Sequence, residues 1–424
     1  MSGGASGLPS GLRKESERIL LQSNPSVLRR PSFAKFWAAR ILTTTSFQML
    51  SVAIGWQMYA LTEDAFSLGL VGLAQFLPML LLTLIVGHAA DRFDRRKIVI
   101  LCQPLEGTVA VFLAAGDQAG WLGREQILLA AALIGACRAF EAPTLAAPLP
   151  ELVPRESLPQ AAAWSASANQ TAQILGPALG GLLFSLGPSF VYLTAAVSLL
   201  SAAVLMYSIR RERSVRKAEP LALRTLFSGL VFVFRHKVIL GTISLDLFAV
   251  LLGGATAPLP IFARDILQTG PWGLGLLRSA PASGALLMSL VLAHYPLRRA
   301  LGPTLFGALG IFGAATVLFA LSTNLSVSLT ASLLIGASDV ISVVIRSTLV
   351  QPHTLDEMRG RVSAVNSLFV GTSNQLGEFE SGMLAGLLGA VPATVVGGIG
   401  TIAIAGLWMY LFPALRRLKT FSDG

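Results

Sequence analysis

Apolar residues run along this chain in stretches of about twenty, broken by short polar intervals. A bilayer core of about 30 Å is crossed by roughly 20 helical residues. The stretches predict membrane-crossing helices over 35–61, 68–90, 97–116, 124–148, 160–186 and 188–209. After a longer polar interval they continue over 238–262, 270–294, 302–322, 325–350, 362–389 and 391–412. Several breaks are very short, as at Gly187-Pro188 and Ser322-Thr323-Asn324. The expectation is an all-α membrane protein with twelve transmembrane helices.

Composition agrees. Of 424 residues, 53% are hydrophobic and only 13% charged, with a mean hydropathy of +0.67. Soluble domains carry roughly 25% charged residues, so a water-soluble enzyme is excluded. The net charge of +10 would point to nucleic acid in a soluble protein, but its placement gives another reading. With both termini on one side, 27 of the 32 Lys and Arg fall on that side, counting Lys35 and Arg40 with the N-terminal tail. Cytoplasmic segments of membrane proteins collect these residues. The pattern therefore predicts a multi-pass protein of the cell (inner) membrane with both termini cytoplasmic and no nucleic-acid partner. Residues 1–33 hold Gly, Ser, Pro and scattered charge, with no apolar core long enough for a signal peptide. They read as a disordered basic tail, either solvated or touching anionic lipid. Cys102 and Cys137 make no disulfide framework and read as small hydrophobes.

The chain also repeats. Leu133-Ile134-Gly135-Ala136 recurs as Leu334-Ile335-Gly336-Ala337, and TAQILGPALGGLL from Thr171 as TSNQLGEFESGML from Thr372, both at an offset of 201. Six spans plus their loops make up that distance. The expected organisation is two pseudo-symmetric six-helix bundles, 34–209 and 238–413, with a cytoplasmic linker over 210–237 and a tail over 414–424. Such parallel repeats place a substrate site near the midplane between the halves. In the linker, Leu223, Phe227, Leu230 and Phe234 share a helical face flanked by Arg224 and Arg235. That segment reads either as an interfacial helix or as an early start to span 7.

The loop after span 2 reads Gly87-His88-Ala89-Ala90-Asp91-Arg92-Phe93-Asp94-Arg95-Arg96-Lys97. A small residue for close helix approach, an acid for a helix N-terminus and a basic cluster for the inner leaflet fit a cytoplasmic hinge. Its Gly and Asp-Arg spacing resembles the cytoplasmic signature of the major facilitator superfamily, with Asp94 where a glycine is usual. The resemblance covers almost the whole chain after residue 33 and implies the major facilitator fold. It also implies that Gly87, Asp91, Arg92, Arg95, Arg96 and Arg361 form a gating motif, with Asp91 facing Arg361 at the start of span 11. In span 5, Gly176, Pro177, Gly180 and Gly181 resemble the motif of proton-coupled exporters in this superfamily, with Ala172 where another glycine is frequent. The same residues would serve as a packing face. Arg138-Ala139-Phe140-Glu141-Ala142 resembles the superfamily's span-4 Arg motif. With DRFDRR, Arg359-Gly360-Arg361 and the span-11 stretch from Asn374 to Gly382, the chain is similar to the branch of bacterial enterobactin exporters.

Charges within spans are costly unless paired or wet. Arg138 and Glu141, Asp246, Asp339 and Arg346, and Glu378 and Glu380 are the candidates for proton coupling or substrate contact, with Glu106 a weaker one. Glu378 and Glu380 are two residues apart and cannot share one helix face. The offset of 201 carries Arg138 onto Asp339, so either these two pair across the halves or each is satisfied within its own half. Arg40, Arg264 and Arg278 lie near span ends and are expected to snorkel. Gln48, Trp56, Gln57, Tyr59, Gln75, Asn169 and Asn366 supply either substrate contacts or interhelical hydrogen bonds. All four histidines lie near cytoplasmic ends, so a proton relay must use carboxylates.

No P-loop, H-E-x-x-H or G-x-S-x-G sequence occurs. No catalytic residue, metal site or cofactor is expected. The resemblance implies a secondary transporter working by alternating access, with proton-coupled efflux of a siderophore- or drug-like molecule preferred. Movement of a lysophospholipid or other lipid-like molecule is the alternative, ahead of an importer, a channel or a membrane-embedded enzyme. Its expected partners are a small-molecule substrate, protons and membrane lipids, and it is expected to act as a monomer.

Overall fold

The computed structural model describes residues 27–92, 95–146, 152–209, 230–254, 256–297, 300–350 and 358–418. The expected basic tail over 1–33 therefore lies mostly outside the described residues, as does most of the linker. Among the described residues twelve long helices follow one another: α1 (Pro31–Thr62), α2 (Ala65–Arg92), α3 (Arg95–Gln118), α4 (Arg124–Ala146), α5 (Leu158–Leu186) and α6 (Pro188–Tyr207), then α7 (Lys237–Gly253), α8 (Gly270–His294), α9 (Leu301–Leu321), α10 (Leu325–Val350), α11 (Arg359–Leu388) and α12 (Ala390–Leu411). All but α7 match an expected span closely. Sharp breaks have local causes. Gly187 takes φ 140°, a conformation that favours glycine, and Pro188 opens α6 where its missing N–H costs nothing. At the start of α2, the Asp64 carboxylate accepts from the backbone N–H groups of Phe66 (3.1 Å) and Ser67 (2.9 Å). Burial pushes the Asp64 carboxyl up, but these bonds, the Ser67 hydroxyl and Arg124 outweigh it and hold the group below its ordinary value.

Span 7 is the main departure. It was expected to run unbroken to 262, but α7 ends at Gly253. Beyond it come Pro258 and Pro260, a single turn over Leu259–Ile261 and a π-helical turn over Phe262–Ile266. Glycine and proline interrupt the hydrogen-bond ladder here although the apolar pattern continues. Residues 230–235 are helical and end at His236, which is extended, before α7 begins. The part of the linker helix that is described is thus separate from span 7.

The two halves pack by one scheme. In the first, α1 lies against α5 and α6, α2 against α4, and α3 against α4 and α6. In the second, α7 lies against α11 and α12, α8 against α10, and α9 against α10 and α12. Each half has its own core, one around Ile54, Leu113 and Tyr192, the other around Leu245, Leu305 and Trp408. Large apolar side chains such as Leu101, Val197 and Leu387 face outward, which suits lipid. Among the described residues, seven of the helices are long and apolar enough to cross a membrane by length and composition alone, and α7 is apolar but shorter. The others, α1, α4, α5 and α11, are where most of the candidate glutamines, asparagines and charges lie.

Candidate functional site

The halves meet along two seams, α5 with α8 and α2 with α11. Both are made by glycine against glycine. A Cβ on Gly181 would stand 3.0 Å from the Gly275 Cα, and one on Gly69 would stand 3.3 Å from the Gly382 Cα and 3.0 Å from the Phe379 carbonyl oxygen. The offset of 201 maps Gly181 onto Gly382, so the seams are repeats of one another. The other glycines of the span-5 motif face inward within their own half. A Cβ on Gly176 would stand 2.6 Å from the Gln48 Cβ, and one on Gly180 would stand 2.9 Å from the Met49 Cα. A Cβ on Gly275 would come 2.5 Å from the Pro177 carbonyl oxygen. The motif thus joins α5 to α1 on one face and to α8 on another.

A small cavity lies between the seams, bounded by α1, α2, the segment after α7, α8 and α11. Its polar lining is Ser51, Gln75, Thr256, Arg278 and Glu378. The Arg278 guanidinium stands 3.5 Å from a Glu378 carboxylate oxygen and donates to the Ser51 carbonyl at 3.4 Å across the two halves. The Thr256 hydroxyl donates to the same Glu378 oxygen at 3.2 Å. Arg278 was expected to snorkel to a span end, but its side chain turns inward because Glu378 and a backbone carbonyl are there to receive it. Its distance from the end of α8 gave no sign of this in the sequence. Of the two adjacent acids on α11, Glu378 reaches the cavity. Glu380 points elsewhere, with Oε2 buried and unpartnered among the described residues.

The cavity is electrically one-sided. Gly69 and Gly275, which occupy matching places in the two seams, are 206 apart, and the same step carries Gly72 onto Arg278. The offset of 201 carries Pro177 onto Glu378. Where the first half has a glycine and a proline, the second has both members of the charged pair. Gly72 itself leaves room for Glu378, since a Cβ on it would lie 3.1 Å from the Glu378 Cβ.

Further toward the end of the bundle remote from the chain termini, a cluster ties α1 to the π-helical turn. The Tyr59 hydroxyl donates to Asp265, and Arg264 pairs with Glu63 at 2.6 Å and lies over the Tyr59 ring, 5.4 Å from its centroid. Tyr59 is therefore a contact between the halves.

Two charged groups lie within the halves. In the first, Arg138 is 3.5 Å from Glu141 and sits over the Phe47 ring at 4.2 Å, while Gln103 donates to Thr43 at 2.7 Å. In the second, Arg346 pairs with Asp246, with Asp339 within electrostatic reach of both. Of the two arrangements that the offset of 201 leaves open, the described residues show the one within each half, with no pair of Arg138 and Asp339 among them. The i,i+3 spacing gives Arg138 its partner on the same helix face, and α7 brings Asp246 to Arg346. Gln57 is taken up by an interhelical network: it donates to Asp117 at 2.8 Å and accepts from Tyr192, and Ser189 donates to Asp117 at 3.1 Å. It is 5% exposed, and these bonds are the interhelical alternative of the two that the sequence offers. Trp56 packs against apolar clusters of both halves, Gln48 lies against Gly176, and Asn169 and Asn366 are half-buried. Gln75 lines the cavity. The side chains of Gly87, Asp91, Arg92, Arg95, Arg96 and Arg361 lie outside the described residues, so the gating motif is placed only by the end of α2 and the start of α3 and α11.

The profile of the transmembrane secretion effector family of major facilitator proteins matches residues 22–421. The chain belongs to the major facilitator superfamily. Enterobactin exporter EntS of Escherichia coli O1:K1 / APEC is 26% identical over 408 residues, 93% of this chain and 95% of the relative. The protein of the same name from Escherichia coli O157:H7 (strain EC4115 / EHEC) is 26% identical over 95% of this chain and 98% of its own. Among solved structures, a bacterial homologue of the iron transporter ferroportin in an inward-facing state superposes with a TM-score of 0.69 at 17% identity, covering 91% of this chain and 99% of that one. A bacterial homologue of the human lysosomal transporter Spinster, inward-facing and unoccupied, gives 0.68 at 14% identity, covering 95% and 97%. Both share the fold of this chain.

Proposed function

We propose that this protein exports a small organic molecule of siderophore- or drug-like character across the cell membrane by alternating access, in exchange for protons. The observation that carries the reading is the Arg278–Glu378 pair in the cavity between the halves, anchored across the seam on the Ser51 carbonyl. A charge pair at a moving interface can be exchanged for contacts with a polar substrate, which is how binding is coupled to movement. Similarity to enterobactin exporters over nearly the full length supports efflux and a semi-polar organic substrate. The moving units are the bundles 34–209 and 238–413, acting as a monomer, with Asp91 and Arg361 gating between them.

The described contacts between halves lie from mid-depth to the end remote from the termini. With both termini cytoplasmic, the Gly181–Gly275 and Gly69–Gly382 seams close the outer side. Glu141, Asp246 and Glu378 are the acids proposed to carry the coupling. Transport into inverted membrane vesicles, with and without an imposed pH gradient, tests the reading on a panel of siderophores, cationic drugs and lysophospholipids. Gradient-dependent accumulation of a siderophore or drug is expected. Accumulation of the lipids alone, or none above vesicles lacking the protein, would count against it.

A further inference from the structure

Three tiers of contact between the halves are stacked along the last turns of α1. The first is the cavity, which Ser51 and Gly55 line together with Thr256, Pro260, Arg278 and Glu378. The second is apolar. Val52 is fully buried in a cluster with Leu259, Phe262 and Leu274 of the second half, and Trp56 packs against the same cluster. In return, Ile261 of the second half packs against the core of the first. The third tier is polar. The Tyr59 hydroxyl donates to Asp265, and Arg264 pairs with Glu63 at 2.6 Å and donates to the Tyr59 carbonyl at 3.4 Å. Ser51 and Glu63 are 12 residues apart, about 18 Å along a helix. The polar tier therefore stands beyond the cavity, toward the end remote from the termini, which is the outer end in the proposed orientation.

Glu63 and Arg264 are 201 residues apart, which is the offset of the repeat. Equivalent residues of two repeats lie opposite each other about the axis that relates them, so an equivalent pair in direct contact stands on that axis. In parallel repeats the axis runs along the membrane normal between the halves. One member is acidic and the other basic, so the axis is crossed by an attraction. The following residues correspond as well, since Asp64 maps onto Asp265. We propose that Glu63 and Arg264 form a latch on the repeat axis that holds the outer exit of the cavity shut, with the apolar tier beneath it as the seal. A substrate that leaves along the line where the halves part must pass between these two side chains. They are exposed, 70% for Glu63 and 35% for Arg264, and an exposed ion pair shifts an equilibrium by no more than about fivefold. That suits a latch that opens in every cycle. The glycine seams meet through backbone, whereas the latch is two long side chains that can swing apart.

The role of the latch in substrate release rests on the proposed transport function, but its closure can be read without any substrate. Full-length protein carrying Ser51→Cys in a Cys102→Ala, Cys137→Ala background is labelled with a membrane-impermeant thiol reagent from the side opposite the termini. Ser51 lies below the apolar tier, so labelling requires both outer tiers to part. Arg264→Gln and Glu63→Gln are each expected to speed labelling by roughly two- to fivefold. The double variant Glu63→Arg with Arg264→Glu places each charge at the equivalent position of the other half, beside Asp64 or Asp265, and is expected to return the rate close to that of the parent. Trp56→Ala, which thins the seal and keeps the pair, is expected to speed labelling too. Unchanged rates in both single charge variants would overturn the latch, as would a double variant that labels as fast as they do. An unchanged rate in Trp56→Ala would overturn the seal. If none of the panel of substrates is transported in vesicles, the proposed function fails and the labelling still decides the latch.

Discussion

Replacement of Gly181 by alanine adds one methyl group at the seam between the halves. That methyl would stand 3.0 Å from both the Cα and the N of Gly275 and against the Pro271 carbonyl oxygen. All three are backbone atoms of α8, so no side chain can rotate away. Overpacking of this kind costs about 1–3 kcal/mol. The cost falls only on the state in which α5 and α8 touch. It therefore shifts the balance between states by roughly 5- to 150-fold toward the one open on the far side. A neighbouring substitution separates this effect from ordinary destabilisation. Gly180→Ala also meets backbone, with its methyl 2.9 Å from the Met49 Cα, but Met49 belongs to the same half. It is expected to lower thermal stability and leave the balance of states alone. The assay is thiol labelling of Ser51→Cys, a cavity position, in a Cys102→Ala, Cys137→Ala background, with a membrane-impermeant reagent added from the side opposite the termini. Gly181→Ala is expected to speed labelling several-fold and Gly180→Ala to leave it unchanged. Equal rates in the two variants would refute the idea that Gly181 sets the inter-half seam.

Loss of either partner of the cavity pair should cost about 1.5–3 kcal/mol, the worth of a hydrogen bond to a charged group. Arg278→Gln and Glu378→Gln are each expected to cut transport by roughly tenfold or more, and the swap Arg278→Glu with Glu378→Arg to restore part of it; no recovery in the double variant would show that the two do not act as a unit. Asp64→Ala removes the cap of α2 and should lower stability by about 1 kcal/mol in thermal unfolding. Because the folded protein holds Asp64 below its ordinary value of 3.8, its contribution is present above that pH and fades as pH falls through the lower folded value. The difference between wild type and Asp64→Ala should therefore shrink in strong acid, and a constant difference would contradict the capping role.

Much of the architecture is legible in the chain because a bilayer imposes one period. Twenty apolar residues and a break such as Gly187-Pro188 leave little choice, and the helix ends fall close to the expected places. The offset of 201 predicts the repeat, and the structure shows it reaching individual contacts, since Gly181 and Gly382 face glycine partners on repeat-related helices. Span 7 departs from its apolar pattern because hydropathy does not register Gly253, Pro258 and Pro260, which break the helix without breaking the apolar run. Side-chain partners were harder to foresee. Arg138 with Glu141 follows from i,i+3 spacing, but Arg346 with Asp246 and Arg278 with Glu378 join helices far apart in sequence, and only their packing decides such pairs. Gln57, a polar residue in a membrane helix, fits a substrate contact and an interhelical hydrogen bond equally in the sequence. Its hydrogen-bond partners, Tyr192 and Asp117, are 135 and 60 residues away.

The central claim is exchange of substrate for protons through a cavity between the halves. Purified protein in sealed proteoliposomes containing a trapped pH-sensitive dye tests it most directly. When a transported siderophore or drug is supplied on one side only, the account predicts that protons move in the opposite direction, and that Glu378→Gln lowers substrate and proton movement together. Substrate movement with no accompanying change in internal pH would contradict it.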